Sequence, residues 1–335
     1  MIHKIASIYG EEGLKGILFR IKSVVVSIPR KIGKAVRRAL YENPNSLLFN
    51  LSNFRRDYCL TQEAQQKIRE SGLRSINDLD MAKIKRSDTL FILGSGASVN
   101  ELREKDWEYI ASCNSVGFNY WMAHPFVPDL YFTEPPPNET GWTDFLQINE
   151  VCKDNYSNVP YIVNFKEWQK KAKLYPLNSI PQSLKENLYY YSPFYLRLNK
   201  PWIIKLTLLG WKSNAAKPDK FDWLILQRAS LGMLIMFGLF AGFKNIVLIG
   251  VDLSNTRYFF EDKAREFKFR PNNLQTQAIH RTVDDTLDIN RISITIDKYI
   301  YLLNDVLLKP AKVSLYVSNE KSLLYPIIPL YRFVK

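Results

Sequence analysis

Cysteine and histidine are scarce in this chain, with three of each in 335 residues. Cys59, Cys113 and Cys152 have neither close pairing nor metal-ligand spacing, which excludes a disulfide scaffold and a structural zinc site and implies a reducing compartment. His3, His124 and His280 are too scattered for a histidine-rich metal cluster. Long apolar runs are also missing. The longest uncharged stretch, Ala229 to Phe243, falls short of the ~20 residues a transmembrane helix needs and reads as a buried helix. The N-terminus does not read as a secretory signal, because charge interrupts its apolar residues every few positions and no small-residue cleavage site ends them.

Acidic residues are outnumbered, 33 against 46 Lys and Arg, for a net charge of +13. The imbalance is concentrated at one end. Residues 1–40 hold nine Lys and Arg against Glu11 and Glu12, a net +7. An anionic partner follows, but the remainder of the chain lacks the basic-and-aromatic pattern of a nucleic-acid module, so nucleic acid is disfavoured. Leu14, Ile17, Leu18, Ile21, Val24, Val25 and Ile28, then Ile32, Val36 and Leu40, fall at helical spacing with Lys and Arg between them and Pro29 as a break. Such a basic amphipathic helix is expected to lie on an anionic membrane surface, with docking on the protein's own core as the alternative. Residues 41–86 read as a polar, helical connector, so that 1–86 form an extension and 87–335 the catalytic domain.

With 46% hydrophobic residues the chain can build a substantial core. Thr89-Leu90-Phe91-Ile92-Leu93 reads as a buried parallel strand and runs into Gly94-Ser95-Gly96-Ala97-Ser98. Ser98 with Glu101 predicts a capping box and a helix continuing through Leu102, Trp107 and Ile110. Strand, glycine turn and capped helix would place backbone N–H groups and a helix dipole at one anion-binding point. Further strands are predicted at 115–118, 129–133, 159–164, 245–249 and 313–317, with helices near 222–242 and 289–307. Alternating strands and helices imply an α/β fold, a Rossmann-like doubly wound and mostly parallel sheet.

Ligands of such sheets bind at the C-terminal strand ends. Here those ends are polar: Gly94-Ser95-Gly96, Asn119, Thr133-Glu134, Asn164, Gly250-Val251-Asp252 and Ser318-Asn319. Each alone is an ordinary turn residue. Together they predict one cleft. Residues 135–158 and 165–222 read as irregular insertions suited to acceptor binding. The glycine turn is not a Walker loop and lacks the third glycine of the dinucleotide fingerprint. Asp78-Leu79-Asp80 precedes the first core strand and reads as a solvated turn, so metal-dependent sugar-nucleotide transfer is disfavoured.

Four segments in order resemble the bacterial sialyltransferases that build lipooligosaccharide and capsule from CMP-activated nonulosonic acids. They are Phe91 to Ser98; Gly117-Phe118-Asn119; Arg228-Ala229-Ser230-Leu231-Gly232 leading to Ile246 to Asp252; and Leu315 to Asn319 followed by Ser322-Leu323-Leu324. They span residues 88–330. Motility-associated flagellin glycosyltransferases have a similar core. The resemblance implies a metal-independent, inverting enzyme without a cofactor, in which Gly94, Ser95, Gly96 and Ser98 face the phosphate and sugar. It implies that Asn119, Thr133 and Glu134 line the cleft and that Ser230 and Gly232 touch the cytidine monophosphate or the donor carboxylate. Arg228 would hold that carboxylate or pair with an acidic neighbour, and Asp252 would orient the lid or cap a turn.

The chain departs from the family at Ser95, where Asn is usual, and in offering the leaving phosphate only Tyr258, with Arg257 beside it, in the lid at about 253–282. His280, at the end of that lid, would be the general base, a task that imidazole with a pKa near ~6.5 suits. His124, beside Pro125, reads as a plain loop residue. Residues 325–333 are apolar, aromatic and basic, and read as a second interfacial contact or as packing. The implied partners are a CMP-sugar, a glycan or glycolipid acceptor and an anionic membrane, on the cytoplasmic face of a bacterial inner membrane, with a homo-oligomer left open. The rival readings are a pyrophosphokinase on the same core and a non-catalytic membrane-bound scaffold.

Overall fold

A computed structural model describes residues 47–136, 139–171, 179–196, 198–272, 282–283 and 293–333. The amphipathic stripe of residues 14–40 and His280 lie outside them. The strands are β1 (Thr89–Leu93), β2 (Asn114–Phe118), β3 (Leu130–Thr133), β4 (Tyr161–Asn164), β5 (Leu188–Tyr191), β6 (Phe194–Tyr195), β7 (Ile225–Leu226), β8 (Asn245–Ile249) and β9 (Ser314–Val317). Seven of them form one all-parallel sheet in the order β5-β4-β3-β2-β1-β8-β9, and β6 pairs with β7 beside it. The helices are α1 (Leu47–Glu70), α2 (Met81–Ile84), α3 (Glu104–Ser112), α4 (Glu139–Tyr156), α5 (Phe165–Lys171), α6 (Gln182–Lys185), α7 (Pro201–Trp211), α8 (Ser230–Phe240) and α9 (Ile296–Leu303). Among the described residues no helix is long and apolar enough to cross a membrane.

The pleat divides the core in two, because successive strand side chains point to opposite faces. Leu90, Ile92, Val116, Phe132, Ile162, Ile246 and Leu248 meet α8, α9, α7 and Phe54 of α1 on one face. On the other, Phe91, Leu93, Tyr131, Tyr161, Val163, Val247 and Ile249 meet α3, α4 and α5. Burial on both faces is why β1 and β8 are continuous apolar runs instead of alternating ones. Helix α8 is buried nearly all round, as its uncharged sequence predicts.

Several expectations are corrected. No helix starts at Ser98: residues Ala97–Glu101 make a single 3₁₀ turn, and α3 begins only at Glu104, where Asp106 accepts the Arg103 N–H at 3.0 Å and pairs with its guanidinium. Residues 135–158 and 165–222 are not irregular, since they carry α4, the edge strand β5 and α7. On α4 the residues Trp142, Phe145, Ile148, Cys152 and Tyr156 stand at helical spacing and are buried. Helix α1 is no loose connector either. Its Thr61 hydroxyl donates to Pro193 O at 3.2 Å, its Gln65 amide to Ser192 O at 3.0 Å, and Arg69 pairs with Asp222 at 2.9 Å. In the C-terminal segment Leu324 and Ile328 are buried and Tyr331 packs on Phe91, whereas Leu323, Tyr325 and Ile327 are exposed.

The order in which strands are added reverses between β1 and β8, which makes their C-terminal ends the switch point of the sheet. There the two loops touch backbone to backbone. Gly94 N–H donates to Ile249 O and Gly96 N–H to Gly250 O, both at 2.8 Å. A Cβ on Gly96 would lie 2.6 Å from Gly250 O and 2.7 Å from Asp252 Oδ2. Gly250 has φ +61°, and a Cβ there would strike Gly94 O. Gly72 has a similar φ of +65° but open space around it. Gly72→Ala is therefore expected to cost only about 1 kcal/mol of backbone strain, and Gly250→Ala about 2–4 kcal/mol through strain plus overpacking. Urea unfolding of the two variants compares the costs.

Candidate active site

The switch point opens into a cleft of about 450 Å³. The ends of β1, β2, β3 and β8 supply its walls. Of the residues named from the sequence, Gly94, Ser95, Gly96, Asn119, Thr133, Glu134, Arg228, Ser230, Asp252 and Tyr258 line it. Ser98 and Gly232 do not. Ser98 is buried behind the wall, and Gly232 is where α8 crosses α9, a Cβ there falling 2.5 Å from the Tyr299 ring. His280 lies outside the described residues, although Thr282, two positions on in the chain, lines the cleft.

The anion site expected at the glycine turn is arranged differently. Four of its five amides are engaged inside the protein: Gly94 and Gly96 as above, Ala97 N–H to Arg257 O at 3.1 Å, and Ser98 N–H to Asp252 Oδ2 at 3.1 Å. The Ser98 hydroxyl donates to Asp252 Oδ1, and Asn319 Nδ2 donates to the Ser98 oxygen at 3.0 Å. Asp252 thus ties the ends of β1, β8 and β9 together. Two helices begin at the cleft, α9 with Ile296 and α8 with Ser230, and the N-cap residue of α8, Ala229, has no side-chain cap. Arg228 precedes it at φ +61°, inside a tight turn closed by Ala229 N–H to Gln227 O at 2.7 Å. An uncapped helix start beside a guanidinium suits an anionic group.

Glu134 continues from β3 into the wall. Burial pushes its carboxyl up to about 7, while hydrogen bonds from Ser230 and Asn164 pull it back and the nearby Glu167 adds to the rise. Its Oε1 is buried without a hydrogen-bond partner. Asn164, expected at the cleft, stands one layer behind and also donates to the Tyr195 hydroxyl at 3.0 Å. Such a carboxyl can give or take a proton near neutrality.

The segment after Asp252 covers one side. Tyr258 bridges to Gly96, Phe259 N–H donates to Ser95 O at 3.0 Å, and Tyr258 stacks on Phe260 at 5.1 Å between centroids, with Tyr120 edge-on to Phe260. His124 is no plain loop residue. Its ring stacks among Trp107, Trp121 and Phe259, its Nδ1 accepts the Phe126 N–H at 3.0 Å, and burial lowers its pKa to about 3, so it stays neutral. Among the described residues no group of three or more His, Cys, Asp or Glu is placed to hold a metal ion.

No protein-family model matches the chain, and no curated protein matches it. Two solved structures are similar to it at low identity. The sialyltransferase CstII from Campylobacter jejuni, determined in complex with a substrate analogue, cytidine-5'-monophosphate, is 13% identical over 72% of this chain and 84% of that one, with a TM-score of 0.36. The monofunctional alpha-2,3-sialyltransferase Cst-I of the same organism is 14% identical over 78% and 87%, with a TM-score of 0.38.

Sequence reasoning missed Tyr120, Phe145, Ile148 and the prolines Pro135 and Pro136 of the lining. The helical spacing of Phe145 and Ile148 was readable. For Tyr120 the sequence held no signal beyond its place next to Asn119.

Two outcomes follow. Between pH 4.5 and 7 the folded protein keeps the Glu134 proton that the unfolded chain releases, so stability falls as pH rises through that window. Glu134→Gln should flatten the fall and melt higher at pH 8, by up to about 3 kcal/mol, in melting curves taken from pH 4 to 8. Asp252→Ala leaves two Ser98 donors without their acceptor and should cost about 2–4 kcal/mol by urea unfolding.

Proposed function

We propose that this chain is a metal-independent, inverting glycosyltransferase that moves a nonulosonic acid, such as sialic acid or Kdo, from its CMP-activated donor onto a glycan or glycolipid. The observation that carries the reading is the placement of Arg228 and the uncapped start of α8 in the same cleft as the polar ends of β1, β2, β3 and β8. A CMP-nonulosonate brings two anions, a phosphate and a carboxylate, and both need such partners. The ring faces of Tyr120 and Tyr258 suit the pyrimidine.

In this mechanism the acceptor hydroxyl attacks the anomeric carbon through an oxocarbenium-like state while the C–O bond to phosphate breaks with its electron pair leaving on CMP. The hydroxyl proton passes to His280. Tyr258 donates to the departing phosphate and Arg228 holds the carboxylate. Glu134 is the second candidate base, because its carboxyl titrates near neutrality in the cleft wall. Location on the cytoplasmic face of the inner membrane, where CMP-sugars and lipid-linked acceptors meet, belongs to the same proposal. A pyrophosphokinase would consume ATP with magnesium, and a scaffold would turn over nothing.

Incubation with CMP-sugars should release CMP. His280→Ala should lower turnover by roughly 10²–10⁴-fold at unchanged CMP affinity and remove the acid limb of the pH–rate profile. If that limb survives in His280→Ala and disappears in Glu134→Gln, Glu134 is the base. Arg228→Gly relieves the positive φ and removes the guanidinium together, so it should hold or raise the melting temperature while weakening donor affinity about 10–100-fold. Unchanged donor affinity in that variant removes Arg228 from the site.

A further inference from the structure

Helix α7 is apolar on two sides. Ile203, Ile204, Leu208 and Trp211 face the core, as any surface helix requires. The outward side, where polar residues belong, carries Trp202, Leu206 and Leu209 at i, i+4 and i+7. Trp202 is 54% exposed and Leu209 49%. Lys205 and Lys212 stand exposed on the same side. The surrounding sequence is one-signed: Asn187 to Pro218 contains Arg197, Lys200, Lys205, Lys212 and Lys217 and no acidic residue. An exposed tryptophan and leucine, with the half-buried Leu206 between them, combine among lysines apolar insertion with attraction to anionic headgroups.

We infer that the outer face of α7 docks on an anionic membrane surface, with Trp202, Leu206 and Leu209 entering the interface and Lys205 and Lys212 meeting lipid phosphates. Charge decides against a second copy of the chain, because a two-fold contact through this face would bring the lysines of both copies together. The segment leading into α7 runs beside the cleft wall. Leu198 O, three residues before α7, accepts from the Gln227 side chain at 3.0 Å, and Gln227 is next to Arg228. Docking here would hold the cleft at the lipid surface, whatever reaction the cleft performs. The basic stripe of residues 14–40 is a separate segment, and the two are separable because residues 1–46 contain no tryptophan.

Full-length protein is mixed with vesicles of phosphatidylglycerol and phosphatidylcholine, with vesicles of phosphatidylcholine alone, and with anionic vesicles carrying brominated acyl chains. The expected result is binding to the anionic vesicles, and brominated-lipid quenching of tryptophan fluorescence that drops in Trp202→Phe. Lys205→Glu with Lys212→Glu should lower partitioning about tenfold or more at an unchanged melting temperature. Quenching equal in wild type and Trp202→Phe, or partitioning unaffected by the double charge reversal, overturns the proposal. So does light scattering that shows a wild-type dimer split by Leu209→Glu with lipid binding intact, since the face would then belong to a second copy.

Discussion

The buried carboxylate of Asp252 is the constraint on which the cleft depends. A carboxylate at 4% exposure is costly unless its oxygens are satisfied. Ser98 satisfies them with its amide and its hydroxyl, and Asn319 adds a longer bond from the end of β9 at 3.4 Å. Three strand ends are thereby pulled to one point. That approach leaves no room for side chains at Gly94, Gly96 or Gly250, whose backbones are in contact. The glycines therefore serve loop-to-loop closure, and the flat wall they make is what the cleft opens against.

With four of that turn's five amides engaged, the positive pole moves across the cleft to α8. Arg228 is held in a left-handed conformation, which a long side chain adopts at a cost of order 1–3 kcal/mol. The turn it makes aims the uncapped start of α8, a helix buried nearly all round, at the opening. Glu134, facing it from β3, is the opposite element: a carboxyl that burial keeps close to half-protonated at neutral pH. A cationic end, an ionisable acid and an aromatic cover meet in a space of about 450 Å³. That is the set of groups a doubly anionic sugar donor requires.

The sheet was legible in the sequence where local pattern decides it. Thr89–Leu93 and Asn245–Ile249 are read to the residue, and β2, β3, β4 and β9 within two, because a strand buried on both faces is an unbroken β-branched and aromatic run. The edge strand Leu188–Tyr191 was missed among aromatics taken for an insertion. The Ser98 to Glu101 capping box failed for a different reason. Its serine amide is claimed by Asp252, 154 positions away, and a contact of that range overrides a local signal that is otherwise sound. Convergence of the polar strand ends was readable from topology. Which of them face the opening and which, like Ser98 and Asn164, brace it from behind was not, since that depends on side-chain directions at the switch point.

The central claim is that this switch point is a cytidine monophosphate site. A crystal structure of the chain grown with cytidine monophosphate tests it most directly. The account predicts the nucleotide in the cleft between β1 and β8, its phosphate within hydrogen-bonding distance of Arg228 or the first amides of α8. A nucleotide bound elsewhere, or an empty cleft at saturating nucleotide, contradicts it.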